Sequence, residues 1–294
     1  MEVYHAGSRA LQERAGVREA ADHVGRSVGQ DVKPVAAAFL ALQPLLVVGA
    51  ADPATGGVWA SPVAGTPGFV RATGPRRMSV TGGVHAGDPL APALATPGTY
   101  VGTLALDPRT RRRMRLNGRL RPTPEGFAVD ADRVFSNCPK YLQKRDLSAI
   151  VPRTPGAPRH GTELTVRQRR FVAEADTFFL ATVHGHGADA GHRGGNPGFV
   201  RVLSPRELLW RDYPGNSMFL TLGNLATDPR AGLLFLDWTL GTALQLTGEA
   251  RTEFGADGQR RVRFTLAAAV ETEGAVPLRW SAPAYSPANP DPAW

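Results

Sequence analysis

The chain has 294 residues, 42% hydrophobic and 20% charged, with a formal charge of +8 from 34 basic and 26 acidic side chains. That length suits two domains of about 130–150 residues, and the composition is that of a globular chain able to build a full core. A single cysteine, Cys138, excludes an intrachain disulfide and a cysteine-based zinc site, and no stretch reaches the roughly 20 uninterrupted apolar residues of a membrane span.

The N-terminal stretch "MEVYHAGSRALQERAG" is charged and lacks an apolar leader, so a cytoplasmic location in a reducing compartment is expected. Next, "DVKPVAAAFLALQPLLVVGAAD" predicts a helix over about 32–42 and an apolar strand over 45–50. A polar, Gly-rich turn leads to "GTPGFVR" at 65–71. The run "RTRRRMR" at 109–115 is either a contact for phosphate or nucleic acid, or a strand or turn of solvated arginines. In "FSNCPKYLQKRD" (135–146), Lys140, Lys144 and Arg145 could lower the thiol pKa of Cys138; a packing role is the alternative. A Pro-rich linker follows over 151–163.

Beyond the linker, "LTVRQRRFVAEADTFFLATVHG" predicts a helix capped by Thr165 and then the strand "TFFLATV". The stretch "HGHGADAGHRGGNPGFVRV" (184–202) is the richest in chemistry. Its glycines let backbone approach a ligand, and Arg193 and Arg201 offer forked donors suited to phosphate. His184, His186 and His192 raise the question of a metal, but only Asp189 accompanies them, and no metal site is expected. In "DYPGNSMFLTLGNLATDPRAGLLF" (212–235), a tight turn at Pro214–Asn216 should lead into a strand, and "LGNLATDPRA" should open a short helix. Its start beside Thr221, Gly223 and Asn224 is either an anion site or a capped connector. The final "SAPAYSPANPDPAW" should wrap over the surface or hang loose.

The phrase "GNPGFVR" at 195–201 repeats the one at 65–71 with a single change, 130 residues on. Helix, apolar strand and Gly-rich turn precede both copies, and G-x-L-A-x-D-P-R follows both, at 102–109 and 223–230. The spacing from phrase to D-P-R differs by nine residues, and from D-P-R to an N-G or T-G turn by nine in the opposite sense, which insertions in hairpin loops would explain. The chain therefore reads as a tandem duplication, with a first half over 1–150 that includes the N-terminal helical segment, and a second over 164–294. Short strands broken by Gly and Pro, with one or two helices per half, predict a mainly β protein of two small closed barrels. Nucleophile-elbow, Walker, H-E-x-x-H and Rossmann patterns are missing from the sequence. Nucleic-acid binding is not expected, because no aromatic residues interleave the arginines.

Taken in order, "DTFFLATV", "DAGHRGGNPGFVRV", "DYPGNSMFLTLGNLATDPRAGLLFLDW" and "LQLTGEA" resemble the flavin-nucleotide-binding branch of the pyridoxamine 5'-phosphate oxidase-like superfamily. "SNCPKYLQKR", "RRRMRLNGRL" and "YHAGSRALQERAGV" resemble further signatures of its tandem branch, so the likeness spans almost the whole chain. The resemblance implies tandem split β-barrels holding FMN between them. It carries the cofactor contacts to His192, Arg193, Gly194, Gly195, Pro197, Gly198, Phe199, Val200 and Arg201, and to Asn216, Thr221, Leu222, Gly223 and Asn224. The first barrel would close over the flavin as an internal partner, with Arg111, Arg113, Arg115 or Asn117 nearby. Gly191 stands where relatives often carry serine, and "VLSPRELLW" lacks the lysine-containing phosphate pattern of the vitamin B6 oxidase proper. The expected function is an FMN-dependent oxidoreductase whose substrate and electron donor the sequence does not name. A non-catalytic flavin carrier and a haem-handling barrel with a histidine axial ligand are the alternatives. A duplicated chain can satisfy its pairing internally as a pseudo-dimer or dimerise again.

Overall fold

A computed structural model describes residues 3–185, 187–256 and 258–291. Helices α1 (Ala6–Arg14), α2 (Arg18–Gly25) and α3 (Pro34–Ala41) open the chain. The first half continues through β1 (Leu45–Ala51), β2 (Val58–Ala64), β3 (Val70–Gly74), β4 (Arg77–Thr81), α4 (Ala91–Ala95), β5 (Tyr100–Asp107), β6 (Arg112–Thr123) and β7 (Gly126–Ser136). These strands make a seven-stranded antiparallel sheet in the order β2-β1-β5-β6-β7-β4-β3. Two short strands, β8 (Leu147–Ile150) and β9 (Arg159–Gly161), cross to the second half.

The second half runs through α5 (Val166–Glu174), β10 (Thr177–His184), β11 (Gly187–Gly194), β12 (Val200–Ser204), β13 (Glu207–Arg211), α6 (Leu220–Thr227), β14 (Arg230–Leu236), β15 (Ala243–Phe254) and β16 (Arg260–Thr272). Its sheet follows the same path, β11-β10-β14-β15-β16-β13-β12, with β9 added beside β16. The last strand, β17 (Leu278–Trp280), pairs with β8. The same strand order twice in one chain is the architecture of two tandem split barrels. α5 starts where its sequence requires: Thr165 and Gln168 cap one another's backbone in a capping box.

The duplication is stricter than the motif spacing suggested. The D-P-R triplets do not correspond: 107–109 leaves β5 into a turn, whereas 228–230 joins α6 to β14. Nor are Asn117-Gly118 and Thr247-Gly248 turns. Each is a β-bulge in the middle of a long strand, at Asn117/Gly118 in β6 and Thr247/Gly248 in β15. A Cβ on Gly118 would strike the carbonyl oxygen of Asp130, and one on Gly248 that of Thr265, so both bulges require glycine. Phrase and bulge repeat with the same 130-residue offset, without insertions between them.

Alternation along the strands builds three cores. In β1, Leu46, Val48 and Ala50 face the first barrel's interior, while Leu45 and Val47 face the second barrel. In β10, Phe178 and Leu180 fill the second barrel, while Phe179, Ala181 and Val183 face the first. The central strands are thus buried on both faces, which is why they read as unbroken apolar runs. Gly102 of β5 presses on the backbone of Asp189 and Ala190, and Gly232 of β14 on that of Val58 and Trp59. These contacts are mutual under the 130-residue offset, so the halves meet as an isologous dimer would.

The N-terminal helix lies against the second half, where Gln12 Nε2 donates to the Met218 carbonyl at 3.0 Å. The C-terminal stretch docks rather than hanging loose: Ser286 N and Asn289 Nδ2 both donate to Gln143 Oε1. Among the described residues, no helix is long and apolar enough to cross a membrane.

Candidate functional site

Where β6 of the first half meets β11 and the start of α6 of the second, a cleft opens between the barrels. Five basic side chains line it, Arg113, Arg115, Lys140, Arg193 and Arg211, against one acid, Asp212. Strand alternation puts Arg113, Arg115 and Asn117 on one face of β6, and Asp189, Gly191 and Arg193 on one face of β11. Asp189, 3% exposed, is the hub between them. Its carboxylate accepts from Arg115 Nη1 at 2.7 Å, Asn117 Nδ2 at 2.9 Å and Thr221 Oγ1 at 3.2 Å. Burial pushes the Asp189 pKa up, but the charge of Arg115 and the three hydrogen bonds outweigh it and hold the carboxyl below its ordinary value. A Cβ on Gly191 would sit 2.9 Å from an Arg115 guanidinium nitrogen, so glycine here makes room for that guanidinium.

Arg113 is the most perturbed cation of the cleft. Its Nη2 donates to the Cys138 carbonyl and its Nη1 to His192 Nδ1, both at 2.6 Å. Burial, reinforced by the charges of Arg115 and Arg193, lowers its pKa from the ordinary arginine value to about 9. Arg193 is lowered too, by burial first and by Arg115, with Asp212 partly offsetting at 3.9 Å. Among the described residues, Nε of Arg113 and Nε of Arg193 have no partner. Buried cations pressed together with donors to spare have the chemistry to receive an anion.

His192 takes a defined state from this neighbourhood. Arginine can only donate, so His192 Nδ1 accepts and the ring proton sits on Nε2, which has no partner among the described residues. Burial, then the charges of Arg113, Arg193, Arg115 and Arg145, drives its pKa well below 6.5. The ring is a neutral N–H donor, with no free lone pair on Nε2 for a metal or haem iron. Since the unfolded chain takes up a proton below pH 6.5 and the folded ring does not, stability falls with acid in that range. The slope approaches about 1.4 kcal/mol per pH unit. His192→Gln is expected to remove it, as read by urea unfolding between pH 7 and pH 5.

The α6 terminus faces the same cleft. Phe219 at its N-cap has a left-handed backbone and offers no capping side chain. The first-turn amides of Leu220, Thr221 and Leu222 have no intrahelical partner, and the helix dipole adds partial positive charge there. The expected strand before this helix does not form: residues 216–217 bend, 218–219 are irregular, and Thr221 and Asn224 lie within the helix. Tyr141 and Tyr213, ring centroids 5.1 Å apart, stand with Met218 on the cleft's aromatic and apolar side. The enclosed room is about 120 Å³. That is below the roughly 300–1,000 Å³ that takes a whole ligand, so it suits a charged head group whose remainder lies along the open cleft.

Of the residues that the resemblance singled out, the cleft gathers Arg113, Arg115, His192, Arg193, Gly194, Phe199, Asn216, Thr221 and Leu222. The twin phrases are structural instead. Phe199 and Val200 enter the second core as Phe69 and Val70 enter the first, and the equivalent Gly68 and Gly198 turn with φ of 97° and 89°. Gly195 is packed against Phe199, and Pro197 and Arg201 are exposed away from the cleft. Gly223 is pressed on Ser8 of α1, and Asn224 Nδ2 donates to Thr182 Oγ1. Asn117 and Asn224 line a neighbouring cleft behind Asp189. Arg111 turns away to donate to the Leu142 carbonyl. His184 stacks on His5, and His186 lies outside the described residues. Among the described residues, no group of three or more His, Cys, Asp or Glu converges as a metal site.

Sequence reasoning missed Lys140, Tyr141, Arg211, Asp212, Tyr213 and Met218 as cleft residues. They reach it through tertiary docking. Gln143 Nε2 donates to the Tyr141 and Gly195 carbonyls, and Arg145 pairs with buried Asp176 at 2.6 Å, fastening residues 141–145 to the second half. A Cβ on Gly194 would strike the Tyr141 carbonyl, so this glycine admits the docked segment.

Residues 164–292 match the family model described as pyridoxamine 5'-phosphate oxidase. No curated protein matches the chain. Among solved structures, HupZ from Group A Streptococcus aligns at 12% identity, covering 35% of this chain and 90% of its own, with a TM-score of 0.28. The FAD binding protein from Mycobacterium smegmatis aligns at 13% identity over 40% of this chain and 98% of its own (TM-score 0.27). A FAD-binding protein from Mesorhizobium loti aligns at 13% over 40% and 97% (TM-score 0.29).

Proposed function

The second half of this chain belongs to the pyridoxamine 5'-phosphate oxidase family, and from that premise we propose that the protein is a flavoprotein that binds FMN in the inter-barrel cleft and acts as an FMN-dependent oxidoreductase. The observation that carries this reading is the cation set. Arg113 and Arg193 are buried together with Nε donors unpaired among the described residues, beside a helix start whose first-turn amides have no intrahelical partner. A phosphate dianion answers all of these at once.

The residues present fit the cofactor's parts. Arg113, Arg193 and the amides of Leu220 to Leu222 would hold the phosphate, and Tyr141, Tyr213 and Met218 offer apolar and aromatic surface to a flat ring system. A bound flavin would supply two-electron, hydride-type redox chemistry of its own. The protein's part is to bind, orient and shield. Arg115 is held by Asp189 and so stays in place rather than folding onto the ligand. His192 can donate a hydrogen bond through Nε2 but, held neutral, does not deliver a proton. Docking of residues 141–145 sets Tyr141 into the cleft wall, where its hydroxyl donates to the Pro214 carbonyl at 2.8 Å.

The test is a visible spectrum of the purified protein after incubation with FMN and removal of excess. Flavin absorption that co-purifies, and falls at least tenfold in Arg193→Gln at unchanged unfolding midpoint, is the expected result. Turnover is then read as NAD(P)H oxidation by the loaded protein. Protein that retains no FMN, or an Arg193→Gln variant that binds it equally well, overturns the reading.

A further inference from the structure

An isologous pair of barrels generates two clefts, not one. The 130-residue offset carries the first cleft onto β15 of the second half with β2 and the start of α4 of the first; beside α4 that region is a cleft lined by residues 86–89, Ala91, Pro92, Ala268 and Val270, and beside β2 a cleft lined by Pro62, Ala64, Gly83 and His85. The 130-residue offset gives each position of the first cleft a counterpart. Arg113 becomes Ala243, Arg115 becomes Gln245, Asp189 becomes Trp59, His192 becomes Pro62 and Arg193 becomes Val63. The geometry agrees with the pairing, because Gln245 reaches across to β2 as Arg115 reaches to β11, donating to Ser61 Oγ at 2.7 Å and to the Ala60 carbonyl at 3.2 Å. Each of these cations of the first cleft has been replaced by a neutral side chain.

The helix start has changed in the same sense. Pro89 and Pro92 occupy the positions of Phe219 and Leu222, and proline has no N–H to offer. The Leu90 amide is spent on the Asp88 carboxylate at 2.8 Å, and the Ala91 amide on the Asp88 carbonyl at 3.0 Å. Among the described residues no Lys or Arg lines the part beside α4, and Arg153, which lines the part beside Pro62, is not the counterpart of any first-cleft cation. Room is not the obstacle, since the open cleft beside α4 alone offers about 730 Å³ against about 120 Å³.

We infer that the chain binds a phosphate-bearing ligand once, in the cleft of Arg113 and Arg193, and that the symmetry-related region, which lacks those cations and free helix-start amides, does not take such a ligand. The inference rests on the flavin reading for the identity of the ligand but not for its stoichiometry. Two probes therefore separate them, FMN and inorganic phosphate, each titrated calorimetrically into the full chain and into Arg193→Gln, Arg113→Gln and Asp88→Asn variants of matched unfolding midpoint. The expected outcome is one equivalent of either probe, affinity at least tenfold weaker in both arginine variants, and no change in Asp88→Asn. Phosphate bound once and lost with Arg193, without FMN binding, keeps the inference and removes the flavin reading. Two equivalents of either probe, or one equivalent that survives both arginine substitutions, overturns the inference. Failure to bind either probe overturns both.

Discussion

Asp189→Asn is expected to destabilise the protein by about 3–5 kcal/mol, because it leaves Arg115 as a buried charge without its counter-ion. Both partners are more than nine-tenths buried, so solvent does little to screen the loss. The new amide could still accept from Thr221 or Asn117, which makes the charge rather than the hydrogen bonding the quantity tested. A guanidinium unfolding series on the single variants and on Arg115→Met/Asp189→Asn separates the two. The double variant is expected to recover part of the loss, since it removes the stranded cation too. A cost below about 1 kcal/mol for Asp189→Asn would be too small for a stranded buried charge and would mean that Arg115 is not held as the geometry shows. The acid limb gives a second reading. Asp189 has its carboxyl held below 3.8, so its stabilisation is complete above that pH and is lost as pH falls through the folded value. The variant should lack that limb.

The elements that local chemistry dictates were legible in the sequence. Thr165 announces α5, the apolar runs announce β1 and β10, and the repeated phrase announces the duplication. The phrase was nevertheless a poor guide to the site. Its Phe, Val and positive-φ glycine shape a turn in both barrels, and only its flank differs, "SPVAG" against "HRGG". The D-P-R triplets misled because Asp-Pro suits the exit of a strand as well as that of a helix, and these were one of each. The bulges were read as turns because N-G and T-G fit both, and only the opposing strand's carbonyl shows why glycine is required. In the cleft, Arg113 and Arg115 were foreseen through the arginine run, but the run did not show that Arg111 departs. Tyr141 and Tyr213 stood in stretches already singled out, yet nothing in their spacing says that residues 72 apart share a wall.

The inter-barrel cleft exists only while the two sheets stay pressed together, and Gly102 and Gly232 set how closely they approach. One methyl at either position meets opposing backbone, at Asp189–Ala190 or at Val58–Trp59, and backbone cannot swing aside as a side chain can. Gly102→Ala and Gly232→Ala are each expected to cost about 3 kcal/mol, the upper end of overpacking for a single methyl. Gly83→Ala is the matched control: nothing lies near its Cβ, and it should stay within about 0.5 kcal/mol of the parent. The isologous arrangement adds a stronger expectation. Either methyl wedges the same interface, so once the first has parted the sheets the second should meet less resistance, and the double variant should fall short of additivity by about 1 kcal/mol. Simple additivity would mean that each contact yields locally and that the halves are not packed as rigid mates. The two single variants should also differ in ligand binding. Gly102 presses on Asp189, so Gly102→Ala should weaken FMN binding more than Gly232→Ala, whose methyl disturbs the cleft that lacks the cations.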